Sequence, residues 1–217
     1  MITCDLMGRL GNQLFQMAAT ICHAVSNGLD YCLPNATINE RVWPKYVNVE
    51  PCCNGSAKNF RVCRDQILKL FGIKWNYKKG WVSIHVRRGD YVVHHDKHPP
   101  VTMDYLALAI EYMYTRGYVN FLVFSDDILY CQKEFGLIGA VFKDCIFEFS
   151  KGKSEIVDLE EMSGCEHNII ANSTFSWWAA WLNRNPKKIV IAPKIWFGPG
   201  NAHLDSKDII PVEWIKL

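Results

Sequence analysis

The stretch Trp81-Val82-Ser83-Ile84-His85-Val86-Arg87-Arg88-Gly89-Asp90 decides the fold class, because a short apolar run ends abruptly in a polar turn with two arginines. A nearly continuous run of this length fits a strand buried on both faces, as in a parallel sheet. The same pattern recurs downstream. Phe121–Phe124 runs into Ser125-Asp126-Asp127, His167–Ala171 runs into Asn172–Ser176, and Lys188–Ala192 is a further short apolar run. Helical patterns fill the gaps: Met103–Tyr114 after Pro99-Pro100, a segment ending near Phe135, Ser154–Gly164 and Thr174–Asn183. Strands alternating with helices predict an α/β fold with a mostly parallel, doubly wound sheet.

Towards the N-terminus, Ile2–Leu6 reads as a strand and Met7-Gly8-Arg9-Leu10-Gly11 as a tight turn. A helix opens at Asn12, with Leu14, Phe15, Ala18, Ala19, Cys22 and Val25 at three- and four-residue spacing, and stops at Asn27-Gly28. Residues 29–80 carry little pattern beyond a helix near Val62–Phe71.

With 217 residues, 49% hydrophobic and 21% charged, the chain is globular and not disordered, collagen-like or coiled-coil. A formal charge of +2 implies no surface that holds a nucleic acid by charge alone. No apolar run is long enough to span a membrane. Asp5 stands where a signal peptide would have a basic flank, so a soluble chain without export leader is expected, and a cytoplasmic location with it. The nine cysteines form no C-x-x-C pair and read mostly as reduced, buried thiols. One disulfide among Cys32, Cys52, Cys53 and Cys63 is the exception entertained. The sequons at Asn35, Asn54 and Asn172 carry no weight.

In parallel sheets ligands sit at the carboxyl ends of the strands, and four polar clusters fall at such ends. Any one of them could be a loop cap; together they suggest a shared site. Gly8-x-x-Gly11-Asn12-Gln13 places two glycines before a helix start, where free N–H groups suit an anion. It lacks the dinucleotide fingerprint, and Gly152-Lys153-Ser154 has Phe147 where a Walker loop needs glycine. Arg87 and Arg88 leave a hydrophobic strand and need an anion or carboxylates; Asp90, Asp126 and Asp127 are the candidate partners. Ser173, Thr174 and Ser176 at a helix start cap the helix or bind phosphate oxygens. Trp177, Trp178 and Trp181 read as core. His94, His95, Asp96 and His98 sit in a loop with no fixed face to set metal geometry. These groups fit a nucleotide diphosphate whose departure is stabilised electrostatically. Without a Walker loop, a D-x-D or zinc spacing, a metal-independent nucleotide-sugar enzyme is favoured over a kinase or hydrolase.

Four segments carry a resemblance: Gly8–Gln16, Ser83–Tyr91, Phe124–Asp127 and His167–Trp178. In that order they closely resemble the α-1,2-fucosyltransferase family, over residues 1–28 and 81–217, about three quarters of the chain. The resemblance implies a GT-B-like fold of two Rossmann-like domains, a reduced acceptor-side domain over 1–80 and a donor domain over 81–217. It implies GDP-fucose as donor, a galactose-containing glycan as acceptor, inversion at the fucose anomeric carbon, and no metal or other cofactor. Arg87 would hold the β-phosphate as GDP leaves, supported by Arg88 and Asp90. His85 and Asp158 would lie near the guanine, and Thr174, Phe175 and Ser176 would cradle the phosphates beside Ser173. Asn12, next to Gly11, would face the reacting centre; Asp90 and Asp126 are the candidate bases. A bacterial or viral source and peripheral membrane association fit the same picture.

Residues 29–80 depart from the family, which has a longer stretch there with an aromatic G-Y/F-x-Q-S-E-type motif absent from this chain. Two alternatives therefore stand beside a compact fucosyltransferase. One is a donor-binding protein without turnover; the other is a transferase for another nucleotide sugar.

Overall fold

The structure, a computed structural model, describes residues 4, 6–31, 33, 60, 63–152 and 154–217. Most of the expected Ile2–Leu6 strand, Cys32, Cys52 and Cys53 with their possible disulfide, and the sequons at Asn35 and Asn54 lie outside the described residues. The chain divides into two units, one up to Lys74 with Asp205–Pro211 and one of Trp75–Leu204 with Val212–Leu217.

In the first unit, helix α1 spans Leu10–Ser26 and helix α2 spans Arg64–Phe71. The turn before α1 contains Gly8 at φ +78°, a left-handed conformation that a side chain strains. Residues from α1 fasten this turn. Gln13 Nε2 donates to the Gly8 carbonyl at 2.9 Å, while Gln16 Oε1 accepts the Met7 N–H at 2.8 Å. The helix starts two residues earlier than expected and ends, as expected, at Asn27-Gly28, with Gly28 at φ +62°.

The second unit holds a six-stranded, all-parallel sheet. In chain order it comprises β1 (Lys78–Val86), α3 (Gly89–Val93), α4 (Met103–Tyr114), β2 (Asn120–Ser125), α5 (Ile128–Val141) and β3 (Ile146–Phe149). It continues with α6 (Glu155–Gly164), β4 (Cys165–Ile169), α7 (Thr174–Leu182), β5 (Val190–Ala192) and β6 (Ile215–Lys216). The strand order is β3-β2-β1-β4-β5-β6, that of a doubly wound Rossmann-like sheet. From β1 the chain winds one way through β2 and β3, then returns to wind the other way from β4. The crevice between the carboxyl ends of β1 and β4 is therefore the topological switch point.

Alternation along β1 assigns its two faces. Val82, Ile84 and Val86 pack with Leu106, Ala109, Ile110 and Met113 of α4 and with Cys131 and Phe135 of α5. Ser83 and His85 face the other layer, where α6 and α7 lie. There Asn168 Nδ2 donates to Ser83 Oγ at 2.7 Å and to the Met162 carbonyl at 2.8 Å. Its Oδ1 accepts from Asn183 Nδ2 at 2.8 Å. This buried amide ties two strands to two helices, and leaving its partners unsatisfied is costly. Asn168→Leu is expected to lower the urea unfolding free energy by about 2–3 kcal/mol. A loss below about 1 kcal/mol would show that the network is not a structural tie.

Helix α7 is apolar nearly all round and buried from Ser176 to Leu182, as the tryptophan reading expected. Trp177 and Trp178 are 0% exposed and Trp181 is 4%. Its C-terminal carbonyls are closed by Lys188, whose Nζ donates to Ala180 at 2.6 Å and Asn183 at 2.8 Å. Among the described residues six cysteines are free thiols, and five of them (Cys4, Cys22, Cys63, Cys131 and Cys165) are buried. Asn172 is 2% exposed, which closes that sequon to a modifying enzyme.

Candidate functional site

Strand β1 delivers Arg87 and Arg88 to the switch point, and the loop after β2 supplies their counter-charges. Arg87 Nη2 bonds Asp90 Oδ1, and Arg87 Nη1 lies 2.7 Å from Asp126 Oδ2. The other oxygen of Asp126 accepts the Arg88 backbone N–H at 2.8 Å. One carboxylate thus fixes both a guanidinium and the turn that carries it. Gly89 fits because a Cβ there would collide with Asp126 Oδ2. Arg87 keeps its remaining N–H groups for a further anion, since a guanidinium has five.

Arg88 is held differently. Its Nε donates to Asp127 Oδ2 at 3.1 Å, and its guanidinium carbon lies 3.4 Å from the centroid of the Tyr130 ring. Asp127 also caps α5, with Oδ1 accepting the Tyr130 N–H at 3.2 Å. Arg88 therefore anchors the arginine turn to the start of α5. The sequence marked Asp126 and Asp127 as candidate partners, but Tyr130 and the sorting of the two arginines were not legible in it.

Across the crevice, β4 leads through Asn172 and Ser173 into α7. Ser173, the N-cap, makes no side-chain cap hydrogen bond, so the first-turn N–H groups of α7 are not closed by it. Ser176 Oγ turns back on the Ala171 and Ser173 carbonyls at 3.4 and 3.3 Å. Thr174 and Phe175 begin the helix and are half-buried. The Phe175 and His85 ring centroids lie 5.5 Å apart, which bridges the two strand ends. Two buried polar atoms point to incomplete bonding at this place: His85 Nδ1 and Asn172 Oδ1 have no hydrogen-bond partner.

Burial, with the Arg87 charge acting in the same sense, pushes the His85 pKa down to about 4, while Asp126 opposes this. His85 is neutral at pH 7. Between pH 6.5 and about 4 the unfolded chain takes up a proton here that the folded chain refuses. Stability should fall as pH drops through that window, by roughly 3 kcal/mol at this group. In His85→Phe that part of the slope should vanish from denaturation curves between pH 7 and 4; an unchanged slope would contradict the assignment.

Asp158 stands in the first turn of α6. It accepts from Ser150 Oγ at 2.6 Å, just beyond β3, where a pocket of about 540 Å³ is lined by Ile128, Gln132, Phe149, Ser150, Lys151 and Gly152. The second unit thus gathers Arg87, Arg88, Asp90 and Asp126 tightly, sets Ser173–Ser176 and His85 at the neighbouring strand ends, and bonds Asp158 to Ser150, a residue that lines the pocket. Gly11, which is buried, and Asn12 belong to α1 in the first unit. Among the described residues no three His, Cys, Asp or Glu side chains come together as a metal-binding group. Among the described residues no helix is long and apolar enough to cross a membrane.

A family model described as glycosyl transferase family 11 matches residues 61–217. The chain is 36% identical over 174 residues to the O-antigen biosynthesis glycosyltransferase WbnK of Escherichia coli, covering 71% of this chain and 55% of that one. It is 39% identical over 140 residues to an alpha-1,2-colitosyltransferase of Escherichia coli, covering 63% and 47%. To the galactoside 2-alpha-L-fucosyltransferase SEC1 of Bos taurus it is 34% identical over 107 residues, covering 47% and 28%. The chain spans about half the length of the two Escherichia coli proteins. No solved structure matches it.

Proposed function

The chain belongs to glycosyl transferase family 11, and from that premise we propose that it transfers L-fucose from GDP-fucose to a glycan hydroxyl, O2 of a terminal galactose, with inversion. The observation that carries the reading is Arg87, fixed by two carboxylates at the switch point, where the neighbouring strand β4 leads into an α7 start that its Ser173 cap does not close. As the acceptor hydroxyl attacks the anomeric carbon and the bond to the β-phosphate oxygen breaks, charge grows on GDP. Arg87 and the first-turn N–H groups of α7 meet that charge with dipoles already in place. No resident metal or other cofactor is part of this chemistry.

The remaining assignments follow the same reading. The pocket beside Ser150 takes the guanine, with His85 and Asp158 assigned to the guanine side of the nucleotide. The family resemblance assigns Asn12, in the glycine turn, to the reacting centre. Asp90 and Asp126 are both engaged with Arg87, so neither is a ready general base, and leaving-group stabilisation does most of the work. A cytoplasmic location goes with the reading, since buried free thiols suit a reducing compartment.

A second reading keeps the mechanism and changes the sugar. It is favoured by the relative named for colitose, whose identity over the matched part exceeds that of the bovine enzyme. Calorimetric titration with GDP-fucose, GDP-mannose, GDP and UDP-galactose, with EDTA present, tests the donor. GDP and GDP-fucose should bind and UDP-galactose should not. Preference for the uridine sugar, or no binding of GDP, would reject the guanine reading; binding of GDP with weak GDP-fucose would favour the second sugar.

A further inference from the structure

We infer that Tyr91 and His98 are positioning residues for Arg87, forming with a glycine-clamped loop a stack that holds the guanidinium in its working orientation across the switch point. The inference rests on the reading of Arg87 as the group that receives the donor diphosphate.

Tyr91 sits on α3 one turn beyond Arg87, and the Arg87 guanidinium carbon lies 5.5 Å from its ring centroid. The other end of the same side chain crosses the crevice. Its hydroxyl donates to the Asn172 carbonyl at 3.1 Å, immediately before the Ser173 cap of α7. One tyrosine thus spans the arginine turn after β1 and the helix start after β4, the two parts that must close on one diphosphate.

Tyr91 also stacks on His98. Their ring centroids lie 5.1 Å apart at an interplanar angle of 21°, and Phe197 meets the imidazole edge-on at 5.8 Å. His98 Nε2 lies 3.3 Å from Asn201 Nδ2. The loop that carries His98 is pinned by its neighbour. Gly198 N–H donates to the Lys97 carbonyl at 2.9 Å and Gly200 N–H to the Asp96 carbonyl at 2.8 Å. A Cβ on Gly198 would collide with the Asp96 carbonyl, and one on Gly200 would come 2.7 Å from Asp96 Oδ2. Backbones approach this closely only at glycine. Asn172 completes the frame, with Nδ2 donating to Pro99 at 3.0 Å and Trp196 at 3.1 Å. The restraint therefore runs from the 196–201 loop through His98 and Tyr91 to Arg87.

A guanidinium misplaced by about 1 Å still attracts a diphosphate but loses the alignment needed as charge develops. Truncating the stack should therefore lower kcat more than it raises the donor KM. Acceptor-dependent GDP release from GDP-fucose is measured for the unaltered protein, His98→Ala, His98→Phe and Tyr91→Phe, with GDP affinity and thermal midpoint for each. His98→Ala should lose about tenfold in kcat with donor KM within about threefold. His98→Phe, which keeps a flat ring, should recover to within about threefold of the unaltered protein. Tyr91→Phe, which keeps the ring and loses the Asn172 bond, should fall about threefold to tenfold. In an Arg87→Ala background, His98→Ala should cost less than about twofold more, because it acts through Arg87.

Full kcat in His98→Ala overturns the inference. Equal losses in His98→Ala and His98→Phe also overturn it, since they would assign the effect to imidazole proton chemistry. An additive loss in the Arg87→Ala background reduces the stack to packing. If the unaltered protein neither binds GDP nor turns over, the donor reading itself falls and takes this inference with it.

Discussion

Arg87→Ala is expected to lower acceptor-dependent GDP release by about 100-fold or more in kcat, the largest effect of any single change in the second unit. On the proposed reading, removing the guanidinium takes away the cation that meets the departing diphosphate. It also leaves Asp90 and Asp126, both bonded to Arg87 in the intact site, without the cation that on this reading separates them from the donor's phosphates. Part of the loss is therefore like-charge repulsion. Asp126→Asn in the Arg87→Ala background should recover a minor part of the rate while leaving it far below the unaltered protein. Arg87→Lys should rescue poorly, because an ammonium cannot fork between two carboxylates and a phosphate. If Arg87→Ala keeps its rate and only its thermal midpoint falls, Arg87 is a structural ion-pair residue and the phosphate assignment is wrong.

Gly89→Ala is expected to reduce kcat by tenfold to 100-fold with a much smaller effect on folding. Gly89 opens α3, so alanine suits the helix, and the penalty comes from the added methyl group against Asp126 Oδ2. Asp126 would be driven from Arg87 and from the Arg88 N–H together. The proper comparison is Asp126→Asn, which weakens the same contacts without steric push; the two should impair turnover in the same direction and leave the urea midpoint nearly unchanged. A fully active Gly89→Ala would show that the Asp126–Arg87 contact is dispensable.

Much of this was legible in the sequence because buried parallel strands advertise themselves. Trp81–Val86 and Phe121–Phe124 are apolar runs that end in polar clusters, and both are strands that grew by only a few residues in the structure. Helix Met103–Tyr114 was bounded by Thr102, whose hydroxyl accepts the Tyr105 N–H as an N-cap. The edge strands β3 and β6 were not foreseen. Ile146–Phe149 has four residues, half of them exposed, and Ile215–Lys216 has two, so neither carries a clear period. Helix α3 went unread because its first two residues lie in the predicted polar turn and its five residues are too few to show a helical period.

At the strand ends the structure brings Arg87 together with Asp90 and Asp126, residues that the sequence reading had singled out. What it could not read was which arginine takes which carboxylate and which aromatic rings join them at long range. Arg88 meets Asp127 and Tyr130 some forty residues on, and Tyr91 reaches Asn172 eighty-one residues away. The run Phe197-Gly198-Pro199-Gly200-Asn201 was a usable signal, since two glycines around a proline mark a close backbone approach. Gln13 and Gln16 resolve a further point. They stand in the glycine-turn motif and fasten the turn to its own helix.

The most direct measurement is GDP release from GDP-fucose in the presence of EDTA, with a panel of galactose-terminated acceptors and a blank without acceptor. The account requires release that depends on acceptor, survives EDTA and falls by about 100-fold in Arg87→Ala. Donor binding without release across the whole panel would contradict it and leave a nucleotide-sugar-binding protein in its place.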